Sequence, residues 1–204
     1  MDKKKVQEYV FCNYTAFTRK TCFQLIFVSV VLCCLLGFIF KNKVYLFLSI
    51  ILSCIIIGWA VYLMFSKKRE LPEYKFLSEG IILTYMSFQF LYMGYAVLYN
   101  EEKPIIFLLL LLVLIGCSFG FLQVAKKRVQ KGIKEFSKTW EFITVPVIIS
   151  GYFGAKTFFL HLEYEIAIKI GIVLAIFCSL MIGCCCATKF YKAILIRKYN
   201  ITKP

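Results

Sequence analysis

Tyrosine hydroxyls and a glutamine amide recur on one side of an otherwise apolar stretch. At about 100° per residue, Ser78, Tyr85, Gln89, Tyr92, Ala96 and Tyr99 share a face, with Tyr95 at its edge. In hydrocarbon such groups need hydrogen-bond partners, so this face is expected to look into a helix bundle or a cavity rather than at lipid. Tyr85, Gln89 and Tyr92 form a candidate ligand or permeation surface, and the competing reading is an aromatic packing ridge with Tyr99 as an interfacial belt residue. Lys156 is the second candidate. It falls one turn from the outer end of a stretch that Pro146, Gly151 and Gly154 loosen, within snorkelling reach of the headgroups. Glu79 lies one turn into the tyrosine stretch, where Lys75 is a ready partner.

Enzyme chemistry is not expected. His161 is the only histidine, and no His–Cys or His–Asp nucleophile pair, paired intramembrane carboxylates or phosphate loop accompanies it. The adjacent Cys184, Cys185 and Cys186 cannot all face one ion from a helix, and no nearby His or carboxylate completes a zinc site. They read as small-residue packing, with S-acylation at the inner interface as a minor alternative. Most other cysteines lie in apolar runs as small hydrophobes, so neither a disulfide framework nor a metal or cofactor is expected.

The elements that position these residues are read from composition. The 204 residues are 61% hydrophobic, well above soluble proteins, and no soluble core of this size hides so many Phe, Ile, Leu and Val side chains. Six stretches are long and apolar enough to span ~30 Å of hydrocarbon. They run over 21–40, 44–65, 76–98, 104–125, 142–160 and 166–188. The formal charge of +14 sits in short clusters between them. With the N-terminus inside, only Lys41, Lys43, Lys103, Lys156 and Lys169 of the 25 Lys and Arg fall on or near the outside, which satisfies the positive-inside rule at every loop. Nucleic-acid binding is not expected, because the same clusters suit anionic headgroups of the inner leaflet. The fold expected is an all-α membrane protein of six transmembrane helices in three hairpins. Both termini are cytoplasmic, and the chain forms one polytopic domain over 1–204 with no soluble domain.

Two further patterns concern contact. Ala167, Gly171, Ala175, Ser179, Gly183 and Ala187 recur every fourth residue in the last span, and Gly116 and Gly120 repeat the spacing in the fourth. Small residues at this spacing let helices approach closely in lipid. The cytoplasmic segments carry Lys126, Lys127, Arg128, Lys131 and Lys134 among apolar residues, and Val6, Tyr9, Val10, Tyr14 and Phe17 suit a helix lying on the inner leaflet.

Three functions fit. The leading one is a small transporter or permease component with a mid-membrane site, acting as a homo-oligomer or with a membrane or ATPase partner. The alternatives are a homo-oligomeric channel or pore, and a scaffold, sensor or immunity protein that recruits a partner through its basic inner face. Heavy use of Lys, Ile, Phe, Tyr and Asn suits an AT-rich genome and a bacterial plasma membrane.

Overall fold

The computed structural model describes residues 3–12, 14, 17–39, 43–99, 104–132 and 164–201. Among them are six α-helices and no strand: α1 (Lys3–Phe11), α2 (Arg19–Ile39), α3 (Lys43–Phe65), α4 (Pro72–Tyr99), α5 (Pro104–Lys131) and α6 (Tyr164–Tyr199), with a 3₁₀ turn at Lys67–Glu70. Local chemistry sets their ends. Thr18 and Thr21 exchange side-chain to backbone contacts of 3.4 Å ahead of α2, in the manner of a capping box. Ser66 accepts from the Lys68 amide and starts the 3₁₀ turn. Pro72 and Pro104 occupy first helical positions, where a missing N–H costs nothing. At the end of α6, Asn200 takes a φ of 52° and the Ile201 amide donates to the Ile196 carbonyl, a Schellman closure that also buries Ile201.

Three of these helices are long and apolar enough to cross a membrane: α3 over Leu46–Phe65, α5 over Ile105–Lys131 and α6 over Ile172–Tyr199. Only 6% of the apolar window of α5 is buried, so Ile105, Leu112, Ile115 and Phe119 present an outward apolar surface. Water would penalise that surface, whereas lipid would not. Helices α2 and α4 coincide in extent with the first and third expected spans. The fifth, 142–160, lies outside the described residues. The last expected span is only part of α6, whose 36 residues reach about 54 Å, well beyond ~30 Å of hydrocarbon.

Helix α4 is the hub. It packs against α6 most extensively and also meets α2, α3 and α5. The α4–α6 pair is antiparallel: Gly94 meets Ile172 and Ile176, Ser87 meets Ser179 and Gly183, Thr84 meets Cys186, and Gly80 meets Phe190. Phe76 and Ala193 continue the pairing in a shared apolar cluster. The α6 positions in contact (Ile172, Ile176, Ser179, Gly183, Cys186, Phe190 and Ala193) are alternately four and three residues apart, the seam of a left-handed helix pair. The expected four-residue stripe advances about 40° per step around a helix, so it cannot stay on one face. Ser179 and Gly183 lie on the seam, while Ala175 and Ala187 are buried off it.

The described part of α1 does not lie free on a surface. Val6 and Val10 are fully buried and Tyr9 nearly so, in a cluster with Phe76, Val129, Ala193, Leu195, Ile196 and Ile201. Its apolar face is thus used within the chain, across the ends of α4, α5 and α6.

Candidate functional site

The polar face of α4 divides between two neighbours. Toward α3 it makes a hydrogen-bond ladder. Trp59 Nε1 donates to Ser78 Oγ at 3.0 Å, and Ser78 Oγ donates onward to the Tyr74 carbonyl. Tyr85 Oη lies 2.6 Å from Ser53 Oγ and 3.2 Å from Ser49 Oγ, and Gln89 Nε2 donates to Ser49 Oγ at 2.7 Å. The rungs 59–78, 53–85 and 49–89 fix an antiparallel register. Ser49 and Ser53 are four residues apart on α3, as are Tyr85 and Gln89 on α4, so each pair shares a face. Ser49, Ser53, Tyr85 and Gln89 are all at most 3% exposed.

Two buried polar atoms, one in this group and one on α2, stand out. Gln89 Oε1 and the fully buried Ser29 Oγ of α2 have no hydrogen-bond partner among the described residues. A buried acceptor left unmade costs about 1–3 kcal/mol, so each marks a place where something polar belongs.

Farther along α4 the face becomes aromatic. Tyr92 meets the Phe107 ring edge-on at 5.6 Å, Tyr95 meets it at 5.1 Å, and Phe88 closes the group from the same helix at 5.8 Å. Tyr92 therefore sits in an α4–α5 aromatic cluster, apart from the oxygens around Tyr85 and Gln89. The surroundings of Ala96 and Tyr99 are outside the described side chains.

The opposite side of α4 is bonded to α6. Ser87 Oγ donates to the Ser179 carbonyl and Ser179 Oγ donates to the Ser87 carbonyl, each at 2.8 Å. Such reciprocal bonds need backbones in close approach, which the small residues allow. Thr84 Oγ1 donates to the Gly80 carbonyl and lies 2.8 Å from Cys186 Sγ, which occupies the thiol in packing.

A basic and aromatic cluster closes the end of the bundle near α1. Glu79 pairs with Lys189 at 2.8 Å, closer than with Lys75 at 3.6 Å. Lys75 Nζ lies 4.6 Å from the Tyr14 ring centroid, and Lys192 Nζ lies 5.1 and 5.4 Å from those of Phe76 and Tyr9. Burial pushes the Lys75 ammonium below its ordinary pKa; Glu79 opposes this, while Lys189 and Lys192 add to it. Burial and the Glu79 charge raise Tyr14.

Of the remaining sequence candidates, Lys156 and Lys134 lie outside the described residues, as do the surroundings of Ala167 and Gly171. Gly116 and Gly120 face open space, with nothing within 4 Å of an added Cβ among the described residues. Lys126, Lys127 and Lys131 are exposed near the end of α5 and Arg128 is half-buried. Sequence reasoning missed Ser29, Ser49 and Ser53, because a serine in an apolar run reads as filler until its spacing is matched to a partner helix. Gly94, which receives Ile176, was missed for the same reason. Among the described residues no group of three His, Cys, Asp or Glu is placed to hold a metal ion. Comparison with protein-family models, with curated proteins and with solved structures finds no match for this chain.

Proposed function

We propose that this chain is a multi-pass membrane protein that acts as a small transport component, with its site in the polar cluster between α3 and α4. In this reading it crosses the bilayer six times as three hairpins, with both termini on the basic, cytoplasmic side, and performs no enzymatic step. The observation that carries the site is the buried, uncharged group Ser49, Ser53, Tyr85 and Gln89, with Gln89 Oε1 left open, on helices whose surroundings are apolar. Packing alone would be served more cheaply by Leu or Ala at these positions, since polar groups in hydrocarbon are costly and tend to mark ligand paths. The lysine and arginine bias and the outward apolar faces of α3, α5 and α6 support the topology.

The test is flux through vesicles reconstituted with the full chain, read by ²²Na⁺ uptake and by light scattering with small neutral solutes. Tyr85→Phe and Gln89→Leu are expected to abolish flux. Wild-type flux no greater than that of protein-free vesicles removes the transport reading.

A second reading, a scaffold or sensor that recruits a partner, is favoured by one observation. Helix α1 packs across the end of α5, where the Lys5 side chain meets Gly132, and so brings a lysine of α1 to the basic end of α5 that carries Lys127 and Lys131. Loss of function on neutralising these lysines, with flux-site variants silent, selects it.

A further inference from the structure

Helix α2 turns one side into the bundle and the other out of it. Cys22 and Ser29 are fully buried and Leu25 nearly so, whereas Phe23 and Phe27 are 60% and 68% exposed. Along the outward side runs an open cavity of about 480 Å³, lined by Lys20, Phe23, Gln24, Phe27 and Val28. That volume falls in the range of ligand sites, about 300–1,000 Å³. Lys20, Gln24 and Phe27 follow one another at steps of four and three residues, so they climb a single face.

The polarity of this cavity is ordered along the helix. Phe17 and Cys22, at the start of α2, share a buried cluster with Leu63 of α3 and Ile82 of α4. Leu63 is followed by Lys67 and Lys68, and Phe76 of α4 meets Val129 and Ala193 near the basic ends of α5 and α6. Lys20 therefore stands at the end of the bundle where the cations gather. At 1.5 Å per residue Phe27 lies about 10 Å farther in, while the headgroup layer of one leaflet is about 5–8 Å thick. With Lys20 level with the phosphates, Phe27 is among the acyl chains. Lys20 and Gln24 are exposed, and neither side chain has a hydrogen bond or ion pair to another described residue.

These groups select a ligand. Lys20 repels a cation and attracts an oxyanion, to which the Gln24 amide can donate. A free phosphate ion would leave the two Phe rings and Val28 unused, and a choline headgroup would bring its own positive charge toward Lys20. We propose that this cavity holds one anionic phospholipid, with its phosphate on Lys20 and Gln24 and its first acyl methylenes against Phe23, Phe27 and Val28. The proposal rests on the reading of α2 as a span whose Arg19 end is cytoplasmic, and not on the transport site between α3 and α4.

The experiment is native mass spectrometry of the full chain released from nanodiscs of phosphatidylcholine mixed with phosphatidylglycerol. Wild type is expected to retain one phosphatidylglycerol in preference to phosphatidylcholine. Lys20→Ala should weaken that retention about fivefold and Gln24→Leu about threefold. Lys20→Arg, which keeps the charge, should hold the lipid, and so should Lys67→Ala, which removes an exposed lysine outside the cavity. Equal losses in Lys20→Ala and Lys67→Ala overturn the proposal, because surface charge alone would then hold the lipid. So does equal retention of the two lipids by wild type. Saturable binding of inorganic phosphate that Lys20→Ala abolishes also overturns it, in favour of a soluble anion. A dimer that Phe27→Ala separates does so in favour of a second copy on this face. Carbonate extraction tells failure of the site from failure of the topology. A chain that carbonate releases from membranes loses the six spans and the site together, whereas one that stays, with retention unmoved by Lys20→Ala, loses the site alone. Selective lipid retention by a chain that passes no solute keeps the site and removes the transport reading.

Discussion

A glycine series tests the packing of α4 on α6 most directly. An alanine Cβ at Gly94 would lie 2.9 Å from Ile176 Cγ1 and 3.6 Å from the Ile172 carbonyl. Ile176 is β-branched and stiff at χ1, so the Cγ1 atom cannot swing away as a chain end would. Overpacking of this kind costs about 1–3 kcal/mol, and the better helix propensity of alanine returns about 1 kcal/mol. Gly94→Ala should therefore destabilise by about 0–2 kcal/mol. At Gly116 and Gly120 nothing lies within 4 Å, so only the propensity gain operates and alanine should be neutral or stabilising by up to about 1 kcal/mol. The assay is reversible unfolding in mixed micelles followed by circular dichroism. The decisive arm is the double variant Gly94→Ala/Ile176→Val, in which removing the methyl beyond Cγ1 gives that carbon room to shift. A coupling of about 1 kcal/mol is expected there. If Gly94→Ala behaves as Gly116→Ala does, or if the second substitution rescues nothing, the seam is not where these contacts put it.

Other expectations can be checked alongside. Ser87→Ala and Ser179→Ala should each cost about 0.6 kcal/mol and couple in the double variant, since each hydroxyl bonds the other residue's carbonyl. Val10→Asp should destabilise by about 3 kcal/mol or more and open the α1 segment to proteolysis, because it places a charge where Val10 is wholly buried. Trp59→Phe, losing its bond to Ser78, should cost about 1 kcal/mol in the same unfolding assay. Lys75 titrates below its ordinary range when folded, so the unfolded chain holds more protons in the window from that lowered pKa up to 10.5. Stability should therefore rise with pH across that window, and Lys75→Met should flatten this part of the profile. Above pH 10 the raised Tyr14 acts in the opposite sense, its contribution being lost as pH climbs.

Much of the α4 face was legible because a helix repeats every 3.6 residues whatever packs against it. Tyr85 and Gln89 could be placed on one side from spacing alone, and they do meet the same serine, Ser49. What spacing cannot say is which neighbour answers that face, and here Tyr92 turned to Phe107 while Tyr85 and Gln89 turned to α3. Small-residue spacing was ambiguous for a similar reason. Gly116 and Gly120 look as well suited to close packing as Gly183, yet an added Cβ at Gly183 would lie 2.5 Å from Leu114 while those at Gly116 and Gly120 meet open space.

By itself the sequence determined that the described chain is helical, roughly where several helices start, and that α3, α5 and α6 are apolar enough to cross a membrane, though not how far α5 and α6 run beyond their apolar stretches. These follow from caps, prolines and apolar runs, all of which act within a few residues of the chain. Only the tertiary structure decided that α1 is spent on the ends of α4, α5 and α6, that Glu79 pairs more closely with Lys189 than with Lys75, and that two plain serines of α3 meet the polar face of α4. Those choices join residues tens of positions apart. Their energies belong to pairs of surfaces, and no periodicity within one segment records which surface the other will be.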